Sequence, residues 1–303
     1  MTQNVPASVK AKLLAGARES GEEFERTLTR FAAERFLFRL GRSPARERCV
    51  LKGASLLTVW LADPYRMTRD IDVLAHGATD DGAIRAMLEQ ICAVPCPDDG
   101  LSYELAELRL EPIRAEEEYS GKRAEFVCLL GNARIKVQVD FGFGDALASE
   151  PEEIEYPTML EGLGRATLRA YPRNSSIAEK IEAMVKLGRR NSRMKDFHDV
   201  WALTETFDFE GPSLKQAVEA CFQRRGTTWA DEVPEALTPA FYEDQNIASR
   251  WRSYRAAGAV LVLPPEQFEV IGERVRAFVN PARDSVVGRS DFDRRWSAGG
   301  PWR

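Results

Sequence analysis

The hydrophobic positions near the start of the chain repeat with the period of an α-helix. In GEEFERTLTRFAAERFLFRLGRS, Phe24, Leu28 and Phe31 recur at helical spacing, and Gly41 is a residue type that often ends a helix. The spacing predicts a packed helical segment over residues 1–42.

Alternation of apolar and polar positions further along the chain predicts a sheet. The clearest alternating segment is IKVQVDFGFG at 135–144. The predicted elements are a helix over 55–61 that breaks at Asp63-Pro64, a strand over 71–74, a helix over 80–93, and further strands over 101–110 and 125–130.

The strand signals fade after Pro157, and two helices separated by the basic loop RRNSR follow. SSIAEKIEAMVKLG has Ile177 and Ile181 on one helical face, and KDFHDVWALTETF is the second helix. We therefore predict an α+β protein with a small mixed sheet in residues 1–160 and a mainly helical domain in residues 161–303.

The composition of the chain excludes several classes of catalysis and of protein. The 303-residue chain is 44% apolar, which suits a folded protein with a substantial core, and its net charge of −5 does not exclude an RNA partner. It has two histidines, which removes most histidine-based catalysis, and five cysteines without a Cys-x-x-Cys pair. The absence of a long apolar run and of a signal peptide predicts a cytoplasmic protein without a membrane segment.

The motif with the clearest chemistry is TRDID at residues 68–72. On a strand, Asp70 and Asp72 point to the same face while Ile71 points into the core. Two adjacent carboxylates repel each other and suit a Mg²⁺ ion shared with substrate phosphates. An Asp-x-Asp motif alone also occurs at many solvated strand ends.

Two other segments accompany this motif. Lys52-Gly53-Ala54-Ser55 opens a helix whose N–H groups and Ser55 hydroxyl can approach a triphosphate, although an ordinary helix start explains the same residues. In IKVQVD, Asp140 falls on the polar face and is predicted as a third carboxylate beside the pair, the alternative being a polar strand exit.

Six segments carry a resemblance to a known family, in this order along the chain: ERFLFRLGRS, VLKGASLL, RMTRDIDVL, IKVQVDFGFGD, AEKIEAMVKLG and SRMKDFHDVWAL. Together they resemble the AbiEii/AbiGii nucleotidyltransferase toxin family, which includes the mycobacterial MenT toxins. The resemblance covers roughly residues 20–230. It implies a DNA polymerase β-type nucleotidyltransferase core, an NTP substrate, Mg²⁺ or Mn²⁺, and the toxin of a toxin–antitoxin pair in phage defence. Some family members extend or block tRNA 3′ ends.

By position, the resemblance implies that Asp70 and Asp72 hold the metal. Thr68 corresponds to a hydroxyl that is silenced by phosphorylation in some relatives, which predicts a cognate antitoxin or antitoxin kinase acting near Thr68. Thr68 also fits a simple turn or strand start, and Arg69 beside it is predicted to contact nucleotide. Related enzymes commonly have Gly-Ser closer to Asp-x-Asp, so Ser55 and Thr68 both remain candidates for the phosphate-contacting hydroxyl.

The resemblance also assigns residues in the two later helices. Lys180 lies in a helix that Ser176 and Glu179 are predicted to open as a capping box. The resemblance implies that it meets the NTP phosphates, the alternative being a solvated side chain. Asp196 is predicted as the catalytic partner, with Asp199 as the second choice. Lys195 is predicted to bind nucleotide, the alternative being a helical ion pair between Lys195 and Asp199.

Three basic clusters are predicted to contact the phosphates of an RNA acceptor, and Trp251 or Tyr254 to stack on a base. The clusters are Arg189, Arg190, Arg193 and Lys195; Arg224 and Arg225; and Arg250, Arg252 and Arg255. The predicted function is transfer of NMP to an acceptor, foremost a tRNA 3′ end, which blocks translation and growth. The alternatives are modification of a protein or small molecule, a non-catalytic NTP- or antitoxin-binding module, and kinase chemistry.

Overall fold

The computed structural model describes residues 4–61, 65–66, 68–113, 121–145, 147–230, 232–258 and 260–303. The predicted helix break at Asp63-Pro64 lies outside these residues. The chain forms two compact units. Described residues up to 170 form the first unit, except 65–66, 145 and 147–150, which belong with the residues from 171 onward to the second unit. None of the helices in these ranges is long and apolar enough to cross a membrane.

The first unit is built on a seven-stranded mixed sheet of the described residues, in the order β3-β4-β5-β2-β1-β7-β6. The strands are β1 (Cys49–Lys52), β2 (Asp70–Ala75), β3 (Leu101–Ile113), β4 (Gly121–Leu130), β5 (Ala133–Phe143), β6 (Glu152–Tyr156) and β7 (Ala166–Ala170). The pairs β2·β5 and β1·β7 are parallel, and the other neighbouring pairs are antiparallel. The prediction of a mixed sheet is confirmed.

The prediction that strands end before Pro157 is wrong, because β7 follows this proline. Its burial alternates along the strand, with Ala166, Leu168 and Ala170 inside. Two of these three inward positions are alanines, which have little β propensity, so the segment carries a weak strand signal. The short strands β1 and β6 were also not predicted, and the sheet is correspondingly larger than expected.

Four helices accompany the sheet in the described part of the first unit. They are α1 (Val5–Ser20), α2 (Phe24–Arg42), α3 (Ser55–Trp60) and α4 (Asp81–Cys92). The helical N-terminal segment is confirmed, but Gly41 does not end it, since α2 continues to Arg42. A Cβ at Gly41 would lie 2.5 Å from the carbonyl oxygen of Thr167, so glycine here permits close packing of α2 on β7.

The second unit is mainly helical, as predicted. Its described helices are α5 (Arg173–Leu187), α6 (Met194–Thr206), α7 (Gly211–Arg225), α8 (Pro239–Tyr242), α9 (Gln245–Ala256) and α10 (Phe268–Val287), and its strands β8 (Phe209–Glu210) and β9 (Arg295–Trp296) pair antiparallel. The predicted capping box is wrong, because α5 begins at Arg173 after Pro172 and Ser176 is buried inside it. The expected apolar face is buried, including Ile177 and Ile181.

Candidate functional site

Strand β2 carries the Asp-x-Asp motif at its start. Asp70 and Asp72 are half-buried, whereas Ile71 and Val73 are buried. The alternation places both carboxylates on one face of the sheet, because successive side chains of a strand point to opposite faces.

Strand register extends this face into a row of charges across four neighbouring strands. Asp72 is paired with Asp140 on β5 and with Lys52 on β1. Asp140 is paired in turn with Arg123 on β4. Residues paired across neighbouring strands point to the same face. The row therefore runs Arg123, Asp140, Asp72, Lys52, with two carboxylates between two cations, and we call it the charged row.

Arg123 binds Asp140 through a bidentate ion pair. Its Nε donates to Oδ1 of Asp140 at 2.9 Å, and its Nη2 donates to Oδ2 at 2.7 Å. Gln138 Nε2 donates to the same Oδ1 at 3.3 Å. Both oxygens of Asp140 are thus engaged by neighbours on the sheet, in the geometry that gives a carboxylate its strongest hydrogen bonds.

Arg123 was not identified from the sequence, although a signal for it exists. The residues Gly131 and Asn132 form a two-residue connection between β4 and β5, where Leu130 pairs with Ala133. A hairpin loop of known length fixes the register of its strands. Counting back from this turn places Arg123 opposite Asp140.

Gly53 lies directly against the Asp72 carboxylate. It has φ +70°, and an added Cβ would lie 2.0 Å from Oδ2 of Asp72. Only glycine permits this approach without strain, since side chains disfavour a left-handed backbone and no space exists for one. Ser55 begins α3 and is buried, and Ala54 occupies the N-cap without a side-chain hydrogen bond. Ser55 is therefore not an ordinary N-cap.

Thr68 and Arg69 lead into β2. The Thr68 hydroxyl donates to the carbonyl oxygen of Asp70 at 3.2 Å, which is the bonding of a strand-start threonine. Its side chain remains partly exposed, and Arg69 is exposed. Both residues are close in sequence to the carboxylates, and their contacts with nucleotide stay predictions.

The carboxylates of this face are the type of ligand that binds a divalent cation. Within the described ranges, no three His, Cys, Asp or Glu side chains are grouped so that they could hold a metal ion. Of the three predicted ligands, Asp140 has both of its oxygens bound by Arg123. Asp70 and Asp72 nevertheless supply hard oxygen donors on one face of β2.

The second unit contains a different assembly, which joins α5, α6 and Arg66. Lys180 Nζ lies 2.6 Å from Oδ2 of Asp199 and 3.3 Å from Oδ1 of Asp196. Arg66 donates to both oxygens of Asp199, at 2.6 and 2.7 Å, and Arg193 binds Asp196. We call these five residues the ion cluster. It contains four residues named in the sequence analysis, with Arg193 among them as a predicted RNA contact, and the described contacts add Arg66.

Charge pairing within the ion cluster outweighs the effect of burial. Burial alone would raise the pKa of Asp199, but Arg66 and Lys180 lower it well below its usual range. Burial alone would lower the pKa of Lys180, whereas Asp199 and Asp196 raise it. Burial opposes the raised pKa of Arg66 too, and Asp199 again prevails. All three groups are therefore ionised at neutral pH.

The ion cluster carries an excess of positive charge. Three of its five members, Arg66, Lys180 and Arg193, are cations, and two, Asp196 and Asp199, are carboxylates. Lys195 lies at its exposed edge, where loss of hydration and the charge of Arg66 lower the pKa of the Lys195 ammonium. Asp199 is engaged by Arg66 and Lys180, which explains its position better than the alternative helical pair with Lys195.

Arg66 is positioned by backbone bonding and by packed rings. It forms a β-bridge with Val260, and the carbonyl oxygen of Tyr65 accepts from the N–H groups of Leu261 and Val262. The Tyr65 ring lies 4.4 Å from that of His198. Burial lowers the pKa of His198 to about 4, so its imidazole is neutral at pH 7. Arg66 was not predicted from the sequence as a partner of Asp199, because 133 positions separate the two residues.

The predicted RNA-contacting residues differ in how accessible they are. Arg189 is exposed, with 68% of its side chain accessible, and also pairs with Glu235. Arg225 is instead bound to Glu179 and Glu182. Trp251 is 1% exposed, and its indole N–H donates to the carbonyl oxygen of Pro265 at 3.1 Å. The prediction that Trp251 stacks on a base is therefore wrong for this conformation.

Comparison with known proteins finds a family model that matches most of the chain. Residues 35–281 match the family model described as nucleotidyl transferase AbiEii toxin, type IV TA system. The fold is similar to that of MenT4, a nucleotidyltransferase toxin from Mycobacterium tuberculosis H37Rv, with a TM-score of 0.51, 18% identity, and coverage of 91% of this chain and 98% of that one. No protein with a curated description matches the chain.

A second solved structure, JHP933 from Helicobacter pylori, is similar with a TM-score of 0.45 and 12% identity, covering 84% of this chain and 90% of that one. At such identities, the likeness to solved structures concerns the fold alone.

Proposed function

This chain belongs to the AbiEii nucleotidyltransferase toxin family, and we propose that it transfers a nucleoside monophosphate from an NTP to the 3′ end of a tRNA. The observation that carries the proposal is the pair of carboxylates, Asp70 and Asp72, on one face of β2 with Gly53 against Asp72. This arrangement gathers the negative charge that binds the metal of a metal-bound triphosphate, at a point where glycine lets the backbone approach the Asp72 carboxylate closely.

The reaction is an in-line displacement at the α-phosphate. The bond between the acceptor oxygen and the α-phosphorus forms, and the bond from the α-phosphorus to the bridging oxygen breaks. Pyrophosphate leaves with that oxygen, and the hydroxyl proton passes to a carboxylate or to solvent. Positioning and charge stabilisation supply the catalysis, because no covalent intermediate is needed.

Asp70 and Asp72 would hold Mg²⁺, with Mn²⁺ as a substitute. The bound cation supplies charge neutralisation for the triphosphate and lowers the pKa of the attacking hydroxyl. Lys52 is paired with Asp72, Gly53 lies against the Asp72 carboxylate, and Ser55 begins α3 two residues later. We propose that these three residues contact the triphosphate. Asp140 is proposed to support the nucleophile from β5.

For the ion cluster of the second unit we propose a phosphate-binding role, as the family resemblance implies. Its excess of positive charge suits a polyanion, and Lys180 with Lys195 at the edge would steady the phosphates. Asp196 is proposed as the catalytic partner because it bonds to both Lys180 and Arg193. Asp199 is proposed to keep Lys180 and Arg66 in place.

As a member of a toxin family, the chain is expected to have a cognate antitoxin. We propose that phosphorylation at Thr68 silences it, because a phosphate would add roughly two negative charges next to Asp70 and Asp72 and repel a triphosphate. Incubation with the antitoxin and ATP, followed by mass spectrometry of the peptide containing Thr68, tests this regulation. A phosphate elsewhere, or none, would contradict it.

The acceptor is tested by incubating the protein with Mg²⁺, total tRNA and each α-labelled NTP. We expect label on intact tRNA, and none after periodate has destroyed the 3′-terminal diol. Label on protein would favour a protein acceptor, and label transferred to the product from γ-labelled NTP in a parallel reaction would indicate kinase chemistry. NTP binding without pyrophosphate release would favour the non-catalytic module. A growth assay under phage challenge, with and without the antitoxin, tests the proposed role in phage defence.

A further inference from the structure

The Asp140 carboxylate is already occupied by a cationic side chain of the sheet. Arg123 contacts both of its oxygens, and no backbone rearrangement is needed for this pairing because the two residues are direct partners of β4 and β5. The Arg123 side chain is 38% exposed, compared with 14% for Asp140. The guanidinium is therefore accessible enough to move away, whereas the carboxylate stays in the sheet face.

The charge of Arg123 reaches beyond Asp140. Its hydrogen bonds to Asp140 contribute most to the raised pKa of its guanidinium, and the negative charge of Asp70 contributes as well. Arg123 therefore lies within electrostatic reach of both Asp140 and Asp70.

We infer that Arg123 and the divalent cation compete for the Asp140 carboxylate, which makes Arg123 a positioning residue that controls when Asp140 joins the metal site. This inference rests on the proposed function, since it requires the metal at Asp70 and Asp72. With Arg123 paired to it, Asp140 is withheld from the cation. Once a cation takes Asp140, the guanidinium is released on the same face of the sheet.

The competition is tested by binding isotherms of Mn²⁺, measured without nucleotide by electron paramagnetic resonance of the free ion. Arg123→Met removes the positive charge and both hydrogen bonds to Asp140 while keeping an unbranched side chain. We expect it to bind Mn²⁺ about tenfold more tightly than the parent protein. Arg134→Met is the matched control, because Arg134 is exposed on β5 and pairs with Glu104 and Glu107 instead.

Asp140→Asn separates competition from a general charge effect. In this background, we expect Arg123→Met to change the Mn²⁺ dissociation constant by less than about threefold, because the contested ligand is gone. Arg123→Gln provides a second neutral variant if Arg123→Met folds poorly. Unchanged or weaker Mn²⁺ binding in both Arg123 variants would overturn the inference, and so would an equal gain with and without Asp140.

Failure of this inference is distinguishable from failure of the proposed function. A parent protein that transfers nucleotide and loses transfer in Asp70→Ala, together with unchanged Mn²⁺ binding in the Arg123 variants, would overturn the competition alone. Transfer that survives in Asp70→Ala would instead overturn the metal assignment on which both depend.

Discussion

The two units of the molecule bring charged residues together in opposite ways. In the first unit, the charged row lies across neighbouring strands, and its Arg123 side chain is 38% exposed. In the second, the ion cluster surrounds carboxylates that are almost fully buried, with Asp196 at 1% and Asp199 at 0% exposure. Exposed pairs cost little to rearrange, whereas a buried charge that loses its partner is expensive. The ion pairs of the charged row can therefore be exchanged for bound ions, whereas those of the ion cluster are expected to stay formed.

The largest effect is expected from removing a carboxylate of the ion cluster. Asp199→Ala leaves Arg66 and Lys180 buried without their main partner, and we expect the free energy of unfolding to fall by about 3–5 kcal/mol. Urea denaturation measures this loss. Asp208→Ala is the control, because Asp208 pairs with Arg295 at the surface, and its stability should hardly change. Equal losses of unfolding free energy in both variants would contradict the proposed difference between buried and exposed ion pairs.

The buried histidine beside the ion cluster gives the next largest effect, in acid. Because burial lowers the pKa of His198 to about 4, the unfolded chain binds more protons than the folded one between pH 6.5 and 4. Stability from this residue is complete above pH 6.5 and falls by up to about 3 kcal/mol once the pH is below 4. We expect His198→Phe to flatten the pH dependence of unfolding in this window.

The matched control for His198→Phe is His76→Gln, since His76 is exposed. Its pH dependence should follow that of the parent protein. A parent protein with the same slope as His198→Phe would show that His198 does not titrate as its burial requires.

A single added methyl group tests the charged row through Gly53. Gly53→Ala would place a Cβ 2.0 Å from Oδ2 of Asp72, so we expect transfer to fall by about a hundredfold, the effect of displacing a reacting group by about 1 Å. Gly21→Ala is the control, because Gly21 has nearly the same φ of +71° but nothing within 4 Å of the added atom. Both variants should lose stability through the left-handed φ, and Gly53→Ala should lose more because of the added contact with Asp72. Full activity in Gly53→Ala would remove Asp72 from the site.

The smallest effect is expected at the exposed basic residues of the second unit. If Arg189 and Arg250 contact RNA phosphates, Arg189→Gln and Arg250→Gln should each weaken tRNA binding several-fold and reduce the salt slope by about one. Fluorescence anisotropy at several salt concentrations measures both quantities. Arg134→Gln, an exposed charge change on the sheet, should leave them unaltered. An effect of equal size there would indicate general charge attraction.

The carboxylates were predictable from local spacing, but their partners required long-range information. The alternation of β2 and β5 places Asp70, Asp72 and Asp140 on polar faces, which a short segment of sequence reveals. Arg123 required the register of a hairpin, which the two-residue turn fixes. Arg66 lies 133 positions from Asp199, and no local pattern records that pairing.

The same distinction applies to the fold. Long periodic segments such as α2 and β5 were identified, because their periodicity is strong over many residues. β1 and β7 are short, and their places in the sheet depend on pairing with each other and with β2 and β6. Such pairing is decided by tertiary packing rather than by local propensity.

The most direct test of the central claim is transfer of α-labelled NMP and release of pyrophosphate by the parent protein, Asp70→Ala and Asp72→Ala. Asp81→Ala is the control, because Asp81 is an exposed carboxylate that pairs with Lys122. We expect both reactions to fall on the order of a thousandfold in the first two variants, with unchanged urea midpoints, and to persist in the control. Transfer at the parent rate in Asp70→Ala would contradict the assignment of the carboxylates on β2 as the catalytic metal site.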